Sequence, residues 1–82
     1  MAIHSFPRVS IFETSSATRG LTDVEGAARW LLERWPEKVR RPRSYRPALK
    51  ACLAALEGGG TVERARAAVV KVARDADILD RA

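Results

Sequence analysis

Two interruptions, Pro36 and the three glycines at 58–60, divide the C-terminal two thirds of this chain into three segments. A proline pushes the residue before it out of the helical region, and a glycine readily adopts the left-handed conformation that ends a helix. In each segment the apolar residues recur at the spacing of one helical face. The sequence therefore predicts three amphipathic helices that bury their apolar faces together.

The first helix has a predicted start and a predicted end. In the sequence Thr22-Asp23-Val24-Glu25, the Thr22 hydroxyl and the Glu25 carboxylate have the spacing of a capping box, so we expect the helix to begin there. Because of Pro36 it should end near Arg34. Its apolar stripe consists of Val24, Ala27, Ala28, Leu31, Leu32 and Trp35.

Ser44 and Thr61 are predicted to cap the second and third helices. Pro47 is compatible with the second helix because it falls in the first turn, where amides have no intrahelical partner. The glycines at 58–60 should end that helix. The second stripe is Tyr45, Leu49, Cys52, Leu53 and Leu56, and the third is Val62, Ala65, Val69, Val72, Ala73 and Ala76.

The N-terminal part of the chain has the two-residue period of a β-strand. Alternation of apolar and polar residues predicts a strand over 8–13, after a flexible N-terminal segment over 1–7. A polar connection at 14–17 and a shorter strand over 18–21 complete a hairpin. Ile78 and Leu79 either add a very short third strand or pack against the core. The predicted fold class is α+β, with this small hairpin packed against three helices in a single domain, 1–82.

The positive charge of the chain is concentrated over residues 38–50, which we call the basic segment. It holds six of the 15 basic residues and no acidic one, which leaves nine basic against ten acidic residues elsewhere. It starts in a predicted basic loop, 37–44, and continues along the second helix. The segment is either a solvated loop that only aids solubility or a contact site for phosphate or an acidic protein. The candidate contacts are Lys38, Arg40, Arg41, Arg43, Arg46 and Lys50.

Trp30 and Arg34 form a second candidate interface. Helical geometry places Trp30 roughly 130° from the centre of the first apolar stripe, in line with Arg34. Trp30 therefore either packs over the hairpin or belongs to a contact surface, where large aromatic residues are enriched. Trp35 falls inside the stripe and is expected to anchor the core.

The sequence contains few of the residue types that carry out catalysis. Nucleophilic and acid–base catalysis need several reactive groups held together, and the chain has one cysteine and one histidine. His4 is expected to be solvated near the N-terminus, and Cys52, on an apolar stripe, to be buried and inert. A disulfide within the chain and a zinc-ligand set are both excluded. We therefore expect no enzyme, no cofactor and no metal site.

The order of several short motifs resembles a known family. The strand Val9-Ser10-Ile11 and Gly20 precede Trp35-Pro36, and a region around Cys52 precedes Ala65-Arg66. Further matching pieces are the runs at 27–32, 48–52, 55–58, 65–68 and 76–78. Over about residues 8–80 the chain resembles the small bacterial proteins called Domain of Unknown Function 982. The resemblance implies the fold and a stand-alone protein of this length, and no activity. The arginine-rich loop and the three-glycine connection depart from the usual pattern of that family.

These observations favour a non-catalytic accessory or protein-interaction module with an unidentified protein partner. The alternative is nonspecific nucleic-acid binding through residues 38–50. Homodimerisation would supplement the marginal stability of a short chain. No apolar run approaches the length of about 18 residues that spans a membrane, and the N-terminal residues lack the pattern of a secretory signal. We therefore expect a cytoplasmic protein that makes no membrane contact.

Overall fold

A computed structural model of the chain describes residues 4–14 and 16–80. Two strands form an antiparallel hairpin, and three helices follow it. The elements are β1 (Ser5–Phe12), β2 (Thr18–Asp23), α1 (Val24–Glu33), α2 (Tyr45–Glu57) and α3 (Val62–Asp75). The predicted α+β class, with an N-terminal hairpin and three helices, is confirmed.

The hairpin is longer than the sequence pattern predicts. β1 begins at Ser5 and so includes residues 5–7, part of the segment 1–7 that is predicted to be flexible. Residues 1–3 of that segment lie outside the described part of the chain. The side chain of Phe6 is buried in the core, which gives the strand an apolar anchor at this end. β2 likewise extends beyond its predicted end, to Asp23.

The alternative of a third strand is realised as a single bridge. Leu79 pairs with Ile11 on the side of β1 away from β2. Two hydrogen bonds flank this bridge: the Phe12 amide donates to the Ile78 carbonyl at 2.7 Å, and the Asp80 amide donates to the Ser10 carbonyl at 2.9 Å. The C-terminal segment thus holds β1 in the middle of the sheet.

α1 begins one residue later than the capping box predicts, because Thr22 still belongs to β2. Asp23 is the N-cap instead, and its Oδ1 accepts the amide of Gly26 at 2.6 Å. An aspartate side chain satisfies an amide at a helix start as a threonine would, so the cap moves without loss of its function. The helix ends at Glu33, with Arg34 as its C-cap, as predicted.

Ser44 lies at the predicted position before α2 but does not cap it. Its backbone is helical rather than extended, and its hydroxyl donates to Oδ2 of Asp75 in α3. At the other end of α2, Gly58 adopts a φ of 90°, the left-handed conformation that the glycine run predicts. Thr61 caps α3 by accepting the amide of Arg64 at 3.1 Å, which confirms that prediction.

The helices cover one face of the sheet. α1 packs on β2, α3 packs on β1, and α2 packs chiefly against the two other helices. No helix in the described ranges is long and apolar enough to cross a membrane. The largest fully buried side chains come from both layers and are Trp30, Ile11, Leu31, Val24, Val69, Val72 and Cys52.

Two leucines of the predicted stripes are exposed, which corrects the predicted core. Leu32 in α1 is 58% exposed, and Leu53 in α2 is 41% exposed. Burial is shifted to the opposite flank of each helix, where Trp30 is buried in α1 and Ala48 and Ala55 are buried in α2. Each helix is therefore rotated relative to its most hydrophobic stripe.

Candidate functional site

Two backbone turns shape the loop between α1 and α2, in which the basic segment begins. The Val39 amide donates to the Pro36 carbonyl at 3.1 Å, and the Tyr45 amide donates to the Pro42 carbonyl at 3.0 Å. The indole Nε1 of Trp35 donates to the Val39 carbonyl at 2.8 Å and ties the loop back to the end of α1. The loop therefore has a defined path over the helix ends.

An aromatic cluster lies beneath the basic segment. The rings of Trp35 and Tyr45 meet edge to face with their centroids 5.3 Å apart. The Tyr45 hydroxyl donates to the carbonyl of Leu31, which fixes the ring against α1. The guanidinium of Arg41 lies 4.7 Å above the centroid of the Tyr45 ring, within the range of a cation–π contact. One cation of the basic segment is thus placed by the fold.

All six basic side chains that the sequence singled out are exposed. None of them forms an ion pair with a carboxylate in residues 4–14 and 16–80, where the ion pairs involve other residues. Arg46 and Lys50 lie four residues apart on α2, so they extend the positive surface of the loop along one row of that helix. All six therefore lie on the surface, four of them in the loop before α2 and two on α2 itself.

The second candidate interface is not present as predicted. Trp30 is only 1% exposed, and its ring centroid lies 5.2 Å from that of Trp35. The interpretation of Trp30 as a contact surface is therefore wrong, and the packing alternative holds. Arg34 is exposed, and its side chain forms no hydrogen bond or ion pair with a described residue.

The sequence pattern did not predict a polar network that joins α2 and α3. Oδ2 of Asp75 accepts the Ser44 hydroxyl at 2.7 Å and lies 3.3 Å from Nζ of Lys71. The hydrogen bond from Ser44, followed by the hydrogen bond and charge of Lys71, lowers the pKa of Asp75 below its ordinary value of 3.8. Only the i,i+4 spacing of Lys71 and Asp75 is visible in the sequence, since Ser44 lies 31 positions away.

The single cysteine and the single histidine lie in different surroundings. Cys52 is fully buried, and desolvation raises the pKa of its thiol from 9.0 to about 11, so the thiolate is scarce near neutral pH. His4 is partly buried, against the expectation of a solvated ring, and its Nδ1 lies 3.2 Å from Oε1 of Glu25. Among the described residues no group of three or more metal-binding side chains forms a site.

An open groove of about 800 Å³ lies at the far end of β1. Its floor is apolar and includes Phe12, Val39 and Ile78. Glu37 and Asp77 lie at its borders, and neither carboxylate forms a hydrogen bond or ion pair with a described residue. The groove has the size of a ligand site, and charged residues of both signs, including Lys38, lie in its lining.

These features define a small α+β domain whose basic segment has no carboxylate partner among the described residues. The sequence matches the family described as Protein of unknown function (DUF982) over residues 9–80, and the chain belongs to this family. No curated protein and no solved structure matches the chain. The family description assigns no activity.

Proposed function

We propose that this protein is a non-catalytic binding module that docks on an acidic surface of a partner protein through the basic segment. The observation that supports the proposal is the exposure of all six cations with no carboxylate paired to any of them in the described residues. Neighbouring like charges repel each other, and opposite charges on a partner relieve that repulsion.

The types of side chain in the segment favour carboxylates of a protein as the target. Four of the six cations are arginines, whose planar guanidinium pairs with a carboxylate through two parallel hydrogen bonds. Arginine is also enriched at protein interfaces, whereas lysine is depleted there. The stacking of Arg41 on Tyr45 lowers the entropy that this side chain loses on binding.

Nonspecific nucleic-acid binding is the second candidate. The absence of any acidic residue over 38–50 favours it, because phosphate contacts need only positive charge along the chain. Proteins that hold single strands add aromatic platforms for the bases, and here Tyr45 is buried and Trp35 is partly buried. This argues for contacts with the phosphate backbone of a duplex and against base stacking.

Fluorescence anisotropy with two labelled polyanions separates the candidates. The protein is titrated into poly-L-glutamate, as a model of an acidic protein surface, and into duplex DNA of the same total charge, between about 50 and 200 mM salt. Docking on carboxylates predicts binding to poly-L-glutamate at least as tight as binding to DNA. Markedly tighter DNA binding with a steep salt dependence would favour the second candidate instead.

A matched pair of charge variants locates the binding. Arg40→Gln with Arg43→Gln removes two charges from the basic segment, whereas Arg64→Gln with Arg74→Gln removes two exposed charges from α3. We expect the first double variant to weaken binding about tenfold and the second to change it little. Equal losses would show that only net charge matters, and no binding at the lowest salt would overturn both candidates.

A further inference from the structure

The direction of the backbone groups in the hairpin follows from the C-terminal bridge. The Phe12 amide and the Ser10 carbonyl bond to residues 78–80 on one side of β1. Backbone groups alternate in direction along a strand, so Ile11, between these residues, directs its groups to β2. Its partner there is Arg19.

By the same alternation, Gly20 directs its N–H and C=O groups away from β1, and the N–H of Thr22 points the same way. The Thr22 carbonyl faces β1, because the register shifts there and the Val24 amide donates to the His4 carbonyl at 3.0 Å. Both residues are exposed, and no backbone hydrogen bond joins these outward groups to a described residue. β2 contains neither the lysine nor the proline that often protects an edge strand from pairing. It therefore presents a free edge that an added strand can use.

A shallow groove runs along this edge, with α1 as its other wall. Its volume is about 200 Å³, below the range of about 300–1,000 Å³ that is usual for small-molecule sites. Gly26 contributes no side chain to the α1 wall, and the buried ring of Trp30 lies beside it. A small groove of this kind, between a helix and a strand edge, fits an extended peptide better than a compact ligand.

The groove is positively charged. Arg19, Arg29 and Arg34 line it together with one carboxylate, Asp23, whose Oδ1 accepts the Gly26 amide. Arg19 is paired with Glu13 at 2.8 Å, but the pair of Arg29 with Glu33 is long, at 3.8 Å, and both partners are largely exposed. The side chain of Arg34 has no ion pair with a described residue. Arg34 is therefore free to meet a carboxylate of an occupant, and Arg29 can do so by exchanging its long, exposed pair with Glu33.

We propose that the groove between β2 and α1 binds an extended acidic segment of a partner protein, which adds to β2 as a further strand. Backbone hydrogen bonds to Gly20 and Thr22 hold the segment, and Arg29 and Arg34 select its acidic side chains. A second copy that paired through its own β2 would bring two sets of these arginines together, which like-charge repulsion disfavours. The groove lies on β2 and α1, so it is distinct from the basic segment.

Two-dimensional NMR of the ¹⁵N-labelled full chain tests this assignment. The probe is a short synthetic peptide of alternating glutamate and valine, and the control peptide has lysine in place of glutamate. We expect the acidic peptide alone to shift amide signals of residues 18–23 and of the facing side of α1, and the indole N–H of Trp30. The amides of Gly20 and Thr22 should exchange more slowly with solvent when the peptide is bound.

Two variants remove the two kinds of contact separately. Thr22→Pro deletes an outward-pointing amide at a strand edge, where proline is tolerated, and leaves the arginines in place. Arg29→Gln with Arg34→Gln leaves the edge and removes the charges. Each variant should weaken binding of the acidic peptide about tenfold, whereas Arg64→Gln with Arg74→Gln should have little effect on it.

Three results would overturn the assignment. The first is the absence of peptide-induced shifts in β2 in a folded protein. The second is a set of shifts confined to residues 38–50, which would support the proposed function while contradicting this site. The third is a doubled molecular mass without peptide that Thr22→Pro restores to 9.0 kDa, because a second copy would then occupy the edge.

Discussion

At the level of single residues, Asp75 shows how a surface carboxylate acquires a structural role. It joins the start of α2, through the Ser44 hydroxyl, to the last turn of α3, through Lys71. Both partners favour the ionised carboxylate, and the pKa of Asp75 is accordingly below 3.8. Its ionisation is therefore coupled to the packing of the two helices.

This coupling predicts a pH dependence of stability. Because the folded pKa of Asp75 lies below its unfolded value, its contribution is fully present above about pH 5 and is lost as the pH falls through the folded pKa. Between neutral pH and about pH 2.5, the melting temperature of Asp75→Asn should therefore fall less than that of the parent chain. Circular dichroism at a series of pH values measures this difference.

The control for Asp75 is Glu57→Gln, which removes an exposed carboxylate of α2 that has no hydrogen bond or ion pair with a described residue. Its melting temperature should follow that of the parent chain over the same pH range. Parallel curves for the parent and for Asp75→Asn would contradict the role of this carboxylate.

Trp30 illustrates what the spacing of residues within one helix cannot predict. At 100° per residue, the buried positions of α1 span an arc of about 160°, from Trp30 at one end to Ala28 at the other. The arc is wide because α1 packs on β2 as well as on α2, and Leu32 lies just beyond it. The sequence pattern identifies the existence of a buried face, while the neighbours of the helix determine its centre.

At the level of elements, the connection between α2 and α3 depends on Gly58 for its conformation and on Gly60 for space, since a Cβ at Gly60 would lie 3.1 Å from the Cβ of Ala54. Gly58 has a φ of 90°, a conformation that costs an L-residue about 1–2 kcal/mol. Gly59 has no positive φ, and no neighbouring atom lies within 4 Å of the position that a Cβ would take there. We expect Gly58→Ala to lower the free energy of unfolding by about 1 kcal/mol. Gly59→Ala should leave it unchanged or raise it slightly, since alanine restricts the unfolded chain.

Urea denaturation of the two glycine variants measures the difference directly. The substitutions are chemically identical and adjacent, so propensity and solubility effects are matched. If the free energy of unfolding changed equally in both variants, the left-handed conformation at residue 58 would add no cost for alanine. That result would contradict the prediction.

The elements themselves were predictable because their signals are local. Hydrophobic period, the glycine cap and the Thr61 cap each lie within a few residues of the structure they determine. The boundary of β1 was not predictable, because it depends on burial of Phe6 beneath helices that come later in the chain. The sequence predicts that Ser44 caps α2 and does not reveal its bond to Asp75, because Asp75 is distant in sequence.

At the level of the whole molecule, the two candidate sites differ in how far sequence can predict them. The basic segment is contiguous, so its charge is visible without a fold. The groove combines an edge of β2 with Arg29 of α1 and its C-cap Arg34, and it exists only because α1 folds back over the hairpin. Arg34 was singled out from sequence, but beside Trp30 as an exposed partner rather than as the wall of a groove.

The C-terminal segment joins the hairpin to α3, which leads to the last prediction. Ile78 is buried, its carbonyl accepts the Phe12 amide, and its own amide donates to Ala73 at the end of α3. Ile78→Ala removes apolar contacts from the junction of β1 and α3 and should cost about 2–5 kcal/mol. Since the total stability of a domain of this length is about 4–12 kcal/mol, hairpin and helices should be lost together. Leu32→Ala, at a side chain that is 58% exposed, should cost much less.

Urea transitions of the Ile78 variant, followed by far-ultraviolet circular dichroism and by tryptophan fluorescence, should coincide. Two separate transitions would show instead that the helices hold together without the hairpin.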